Sequence, residues 1–168
     1  MRPLPLAAWL AAFALISLRA SAADYTAAHP VWNQPVPPFT IAGNLHYVGA
    51  AGVSSFLITT NEGHILVDSG FRETVPQIEH NLETLGFRLA DVRLLLINHA
   101  HYDHVGGMAD LKARTGATLL AHPADFEALE RGGAGDFAFG DSFLFPPVKP
   151  DRAIRDGEQI TLGGTTLT

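Results

Sequence analysis

Directly behind the apolar run Leu94-Leu95-Leu96-Ile97 the chain reads Asn-His-Ala-His-Tyr-Asp-His-Val-Gly-Gly, positions 98–107. His99, His101, Asp103 and His104 crowd four titratable side chains into the end of a buried strand, where each polar group needs a partner. Residues two apart on an extended chain point to the same side, so His99 and His101 are expected to face together if the strand continues through them. Asp103 and His104 follow where the chain turns toward a helix. Four side chains can then converge on a small volume, and each is a good zinc ligand once its lone pair is free. A plainer reading makes the histidines polar loop residues and Asp103 the cap of a helix starting near Val105. A cap accounts for one residue of the four, so the metal reading is preferred.

The flanking pattern is α/β. Short strands are predicted around Leu45–Val48, Ser55–Thr60 and His64–Val67, the last two joined by an Asn61-Glu62-Gly63 turn. Val75, Ile78, Leu82 and Leu85 form a helical stripe over 72–85, with Pro76 in the first turn and Gly86 past the end. Leu94–Ile97 has the continuous apolar character of a central strand. A helix from about Gly107 to Thr115, a strand over Thr118–Ala121 and a short helix over Ala124–Arg131 follow. Two strands, Gln159–Leu162 and Thr165–Leu167, flank the Gly163-Gly164 turn. Residues 24–38, with Pro30, Pro35, Pro37 and Pro38, read as an extended surface arm rather than a helix.

With 168 residues the chain is long enough for one domain with a substantial core. Arg2, the apolar stretch Leu4–Leu18 and Ala20-Ser21-Ala22 have the layout of a secretory signal peptide over residues 1–22, leaving 23–168 as the mature part. A membrane anchor is the alternative, but the apolar core is short for a bilayer and Arg19 interrupts its end. The mature chain is therefore expected to be exported, with no membrane contact after cleavage. Its formal charge of −6 falls to −8 without Arg2 and Arg19, and no basic stripe is present, which excludes an electrostatic nucleic-acid binder. There is no cysteine, so a metal would be held by nitrogen and oxygen. Zinc in such a site, with an open position, brings the pKa of a bound water to about 7, making hydroxide available at neutral pH. Hydrolysis of an amide or ester is the natural chemistry.

The His-x-His-x-Asp-His pattern behind a buried strand resembles the metallo-β-lactamase superfamily. The longer stretches WNQPVPPF, HILVDSGF, LLLINHAHYDHVGGMADLKARTGA, FAFGDSFLFPP and DGEQITLGG are similar to class B β-lactamases of the third subclass. The resemblance implies an α/β fold, the N-terminal half of an αββα four-layer sandwich, with two zinc ions per complete domain. It implies His99 and His101 on the first zinc, Asp103 and His104 on the second, and Asp103 orienting the hydroxide that attacks the lactam carbonyl. The implied substrate is a small-molecule β-lactam, the implied role antibiotic resistance and the implied location the periplasm. The short motif is also shared by lactonases, glyoxalase-type thioesterases and nucleases. A lactonase or thioesterase, or a non-catalytic degenerate zinc-binding protein, therefore stays open.

The family pattern needs one further histidine for each metal, and none of His29, His46, His64, His80 or His122 matches those positions. The chain is accordingly expected to be an N-terminal fragment, inactive alone and weakly stable, with the inner face of its sheet uncovered. Asp68, ending the strand before Ser69-Gly70, resembles the superfamily's buried aspartate that supports the metal-binding loop; a turn aspartate bonding its own backbone is the alternative. His122 reads as a surface or capping residue, and His46, His64 and His80 as solvated. Trp32–Phe39 and the Phe137–Phe145 loop either wall an apolar cleft or pin arm and loop to the core.

Overall fold

A computed structural model describes residues 25–168. The expected export segment, 1–22, lies outside the described residues. Seven strands form one sheet whose spatial order follows the chain: β1 (Phe39–Ala42), β2 (Leu45–Tyr47), β3 (Phe56–Thr60), β4 (Gly63–Val67), β5 (Val92–Leu96), β6 (Thr118–Ala121) and β7 (Arg152–Ala153). The first four pair antiparallel and the last three add on parallel. Parallel neighbours need a crossover. Between β4 and β5 it is α2 (Val75–Thr84), and between β5 and β6 it is α4 (Met108–Thr115). A short α5 (Phe126–Arg131) precedes the long loop to β7.

Alternation along the central strands builds two cores. Leu57, Leu66, Leu95 and Leu119 face the helices, where Val75, Ile78 and Leu82 of α2 and Met108 and Leu111 of α4 are buried against them. Their partners one position along, Ile58, Ile65, Leu96 and Leu120, face the opposite side. Each such fully buried aliphatic side chain is worth roughly 1.5–3 kcal/mol. The opposite side is not bare, contrary to the expectation for half a sandwich. A separate hairpin, β8 (Ile160–Leu162) with β9 (Thr165–Leu167), turns about Gly163-Gly164 and packs Ile160, Leu162 and Leu167 onto it. Helices, seven-stranded sheet and hairpin thus give three successive layers.

Several local expectations are corrected. The proline-rich arm begins with a helical turn, α1 (Tyr25–Ala28), and Tyr25 is buried among Phe71, Tyr102 and Phe143. The prolines all lie after this turn, which is why they do not prevent it. Strand β1 goes beyond the expected strands: it is four residues long, directly follows Pro37-Pro38, and all its residues are exposed, Phe39 and Ile41 included. Strand β5 begins at Val92 and stops at Leu96, one residue short of Ile97. His46 is buried rather than solvated: Thr40 Oγ1 lies 3.0 Å from its Nδ1 and Thr59 Oγ1 3.3 Å from its Nε2, with Phe87 against the ring. Burial first, then nearby His64, pushes its pKa below the ordinary imidazole value. His64 is half-buried, edge-on to Phe87, while His80 is exposed as expected.

Candidate metal centre

The chain leaves β5 at Leu96 and reaches α3 (Tyr102–Val105) through a bent loop. The strand therefore does not run through His99 and His101. Their convergence comes from the bend, in which the His101 N–H donates to the His99 carbonyl at 3.1 Å. Two carboxylates brace the loop from other elements: Asp68 Oδ1 accepts from Asn98 N at 2.8 Å, and Asp125 Oδ1 from Ala100 N at 3.1 Å. Asp103 and His104 sit inside the one turn of α3, whose N-cap is His101 and not Asp103.

The structure brings all four side chains together. His99 Nε2 lies 3.1 Å from His101 Nδ1, the His99 and His104 ring centres are 4.2 Å apart, and His104 Nε2 is 3.7 Å from Asp103 Oδ2. The side chains of His101, Asp103 and His104 are 28%, 27% and 25% exposed, so the cluster opens to solvent. Burial, then the charges of His104 and His101, lowers the His99 pKa and favours the neutral ring that a metal requires. His104 is pushed the other way, chiefly by its hydrogen bond to Asp68, whose Oδ2 lies 2.8 Å from Nδ1.

Asp68 holds this position at a backbone φ of 59°, the one non-glycine residue with positive φ among those described. Such a conformation costs of the order of 1 kcal/mol and persists only where surroundings over-determine it. Here they do. Its N–H donates to Leu96 O, its two oxygens serve Asn98 and His104, and neighbouring Ser69 Oγ donates to His104 O and accepts from Gly107 N. Asp68 is thus placed behind His104 and the loop rather than bonded into a local turn.

The donors suit zinc in kind, and His99 and His101 suit it in spacing as well. Two nitrogens about 2.1 Å from a tetrahedral ion lie about 3.4 Å apart, close to the His99–His101 separation. Nδ1 of His104 is engaged by Asp68, which leaves Nε2 on the Asp103 side. Among the described residues, no three His, Asp or Glu side chains are placed so that together they could hold a metal ion.

Two contributors went unnoticed in the sequence. Asp136, from the loop after α5, places Oδ2 3.3 Å from His101 Nε2. Asp125, in Pro-Ala-Asp ahead of α5, has the look of a helix-start residue, and only its contact with Ala100 reveals another role. His122 is an exposed capping residue whose Nδ1 accepts from Ala124 N. The aromatic segments divide: Phe145 is buried and Phe143 stacks on Tyr102, pinning the loop, whereas Phe137 is exposed and Phe139 stands edge-on to His101. Trp32 is partly exposed and stacks on His29.

Residues 48–168 match the family model of the metallo-beta-lactamase superfamily. The chain belongs to that superfamily. Its members are hydrolases that generally bind zinc. A metallo-beta-lactamase of Cronobacter sakazakii, described by a HARLDQ motif, is 48% identical with a TM-score of 0.80, over 83% of this chain and 54% of that one. A subclass B3 metallo-beta-lactamase of Bradyrhizobium japonicum is 41% identical with a TM-score of 0.78, over 84% of this chain and 53% of that one. A hydroxyacylglutathione hydrolase of Methylobacterium nodulans is 37% identical over 87 residues, 52% of this chain and 26% of that protein. This superfamily member therefore spans about half the length of the solved structures it resembles, and its mixed α/β architecture corresponds to their N-terminal part. At positions 99–104 it reads His-Ala-His-Tyr-Asp-His, with imidazoles where the HARLDQ motif has Arg and Gln.

Proposed function

We propose that the protein acts as a zinc-dependent hydrolase that opens the ring of β-lactam antibiotics. The observation that carries this reading is the 3.1 Å approach of His99 Nε2 and His101 Nδ1, beside Asp103 and His104, in a chain similar to β-lactamases over about four-fifths of its length. His99 and His101 would hold one zinc, Asp103 and His104 a second. Bound there, zinc lowers the pKa of a water to about 7 and polarises a carbonyl. Asp103, partly exposed at the mouth, orients the attacking water by accepting its proton in a hydrogen bond. Asp68 keeps His104 in the tautomer with Nε2 free. Phe139, edge-on to His101, gives the mouth an apolar side that suits a small, partly apolar substrate. Export to the periplasm through residues 1–22 is part of the same proposal.

The similarity to a hydroxyacylglutathione hydrolase supports a second reading, hydrolysis of a thioester or lactone. Assaying protein expressed from its complete reading frame against a chromogenic cephalosporin and a glutathione thioester separates the two. Chelator-sensitive turnover of the cephalosporin is expected; turnover of the thioester alone would select the second reading. Zinc uptake without turnover of either would indicate a degenerate binding protein.

A further inference from the structure

We propose that Asp136 is a positioning residue that fixes the tautomer of His101, keeping the Nδ1 lone pair turned toward His99. The proposal deepens the metal-site reading and rests on it for its consequence, though not for its geometry.

A neutral imidazole has one N–H and one lone pair, and the partner of one nitrogen decides the state of the other. Asp136 Oδ2 lies 3.3 Å from His101 Nε2, and an ionised carboxylate only accepts. The proton is therefore held on Nε2, and the free lone pair falls on Nδ1, the atom 3.1 Å from His99 Nε2.

Asp136 is itself fixed. Its Oδ1 accepts from Ala138 N at 2.8 Å and Phe139 N at 2.9 Å, and its backbone exchanges two hydrogen bonds with Gly140. The side chain is 14% exposed. With Oδ1 held by the two backbone donors, Oδ2 is the oxygen turned to His101. Phe143 and Phe145 anchor the same loop to the core. At the other end of the cluster Asp68 engages Nδ1 of His104 and frees Nε2. Two carboxylates thus hold opposite nitrogens of the two rings, and each leaves the inward nitrogen available.

The test is Asp136→Asn. Oδ1 of the new amide keeps both backbone donors, so Nδ2 faces His101 and requires a lone pair on Nε2, which sends the ring proton to Nδ1. Long-range proton–nitrogen NMR on metal-free protein is expected to show His101 changing from the Nε2–H to the Nδ1–H form. Zinc affinity, measured by competition with a chromophoric chelator, is expected to fall roughly 10–100-fold. Asp141→Asn alters the same loop, where Asp141 Oδ1 accepts from Gly135 N, and is expected to change neither quantity. An unchanged tautomer in Asp136→Asn, or equal losses in both variants, overturns the proposal. A tautomer change with no zinc uptake even by the unsubstituted protein would sink the metal reading and leave the positioning role standing.

Discussion

Nδ1 of His104 and Oδ2 of Asp68, 2.8 Å apart, join the first turn after β5 to the residue that follows β4. The contact couples the cluster to the middle of the sheet, because Asp68 also bonds Leu96 and Asn98 on the neighbouring strand end.

Replacing Asp68 by Ala strands the Asn98 N–H and the His104 Nδ1–H together. A loss of about 1–3 kcal/mol in urea unfolding is expected, since an orphaned donor costs that much. Asp68→Asn, which tolerates positive φ, is expected to lose less stability. Both should weaken zinc binding roughly 10–100-fold. An unfolding midpoint for Asp68→Ala equal to that of the unsubstituted protein would count against the bracing role.

The two inward-facing histidines give the metal-free protein opposing pH dependences. The His104 pKa is raised, first by its bond to Asp68, above the ordinary value of about 6.5. Its contribution is full below that value and is lost as pH rises through the raised one. The His99 pKa is lowered, first by burial, so its contribution is full above about 6.5 and is lost as pH falls from there through the lowered value. In His104→Gln the component that declines with rising pH should vanish, leaving stability that increases from acid to neutral. Thermal midpoints across this range check it, and parallel profiles for the two proteins would refute it.

Gly106, beside the site, and Gly116, at the far end of α4, should respond differently to alanine. A Cβ on Gly106 would lie 2.6 Å from Tyr102 O and 3.0 Å from Phe71 Cα and Arg72 N, all backbone atoms. Gly116→Ala meets nothing within 4 Å but adopts φ 66° at the end of α4. Gly106→Ala is expected to cost about 3 kcal/mol by overpacking, and Gly116→Ala about 1 kcal/mol by backbone strain. Urea midpoints in the reverse order would contradict the close approach of α3 to residues 71–72.

Ile160→Ala probes the hairpin over the far face of the sheet. Ile160 is buried against Ile58, Ile65, Leu96 and Leu120, and its truncation is expected to cost about 2–5 kcal/mol. A change below about 0.5 kcal/mol, the range of surface substitutions, would mean that β8 and β9 do not cover that core.

Strong periodicity made the central elements legible. The stripe of α2 and the apolar strands β4 and β6 follow from which residues must leave water, and they lie where the sequence puts them. Exposed β1 and two-residue β7 escaped because neither carries an apolar pattern long enough to register. The burial of His46 also escaped, since the threonines that satisfy it stand on two other strands.

The sequence by itself determined that three imidazoles and a carboxylate would share one short loop behind a buried strand, because covalent adjacency guarantees it. Which nitrogens face inward was decided only by the tertiary structure. That choice depends on the carboxylates of Asp68 and Asp136, which lie against His104 Nδ1 and His101 Nε2 and come from opposite sides of the motif in the chain. Such partners have no spacing rule, since folding rather than sequence distance brings them within reach.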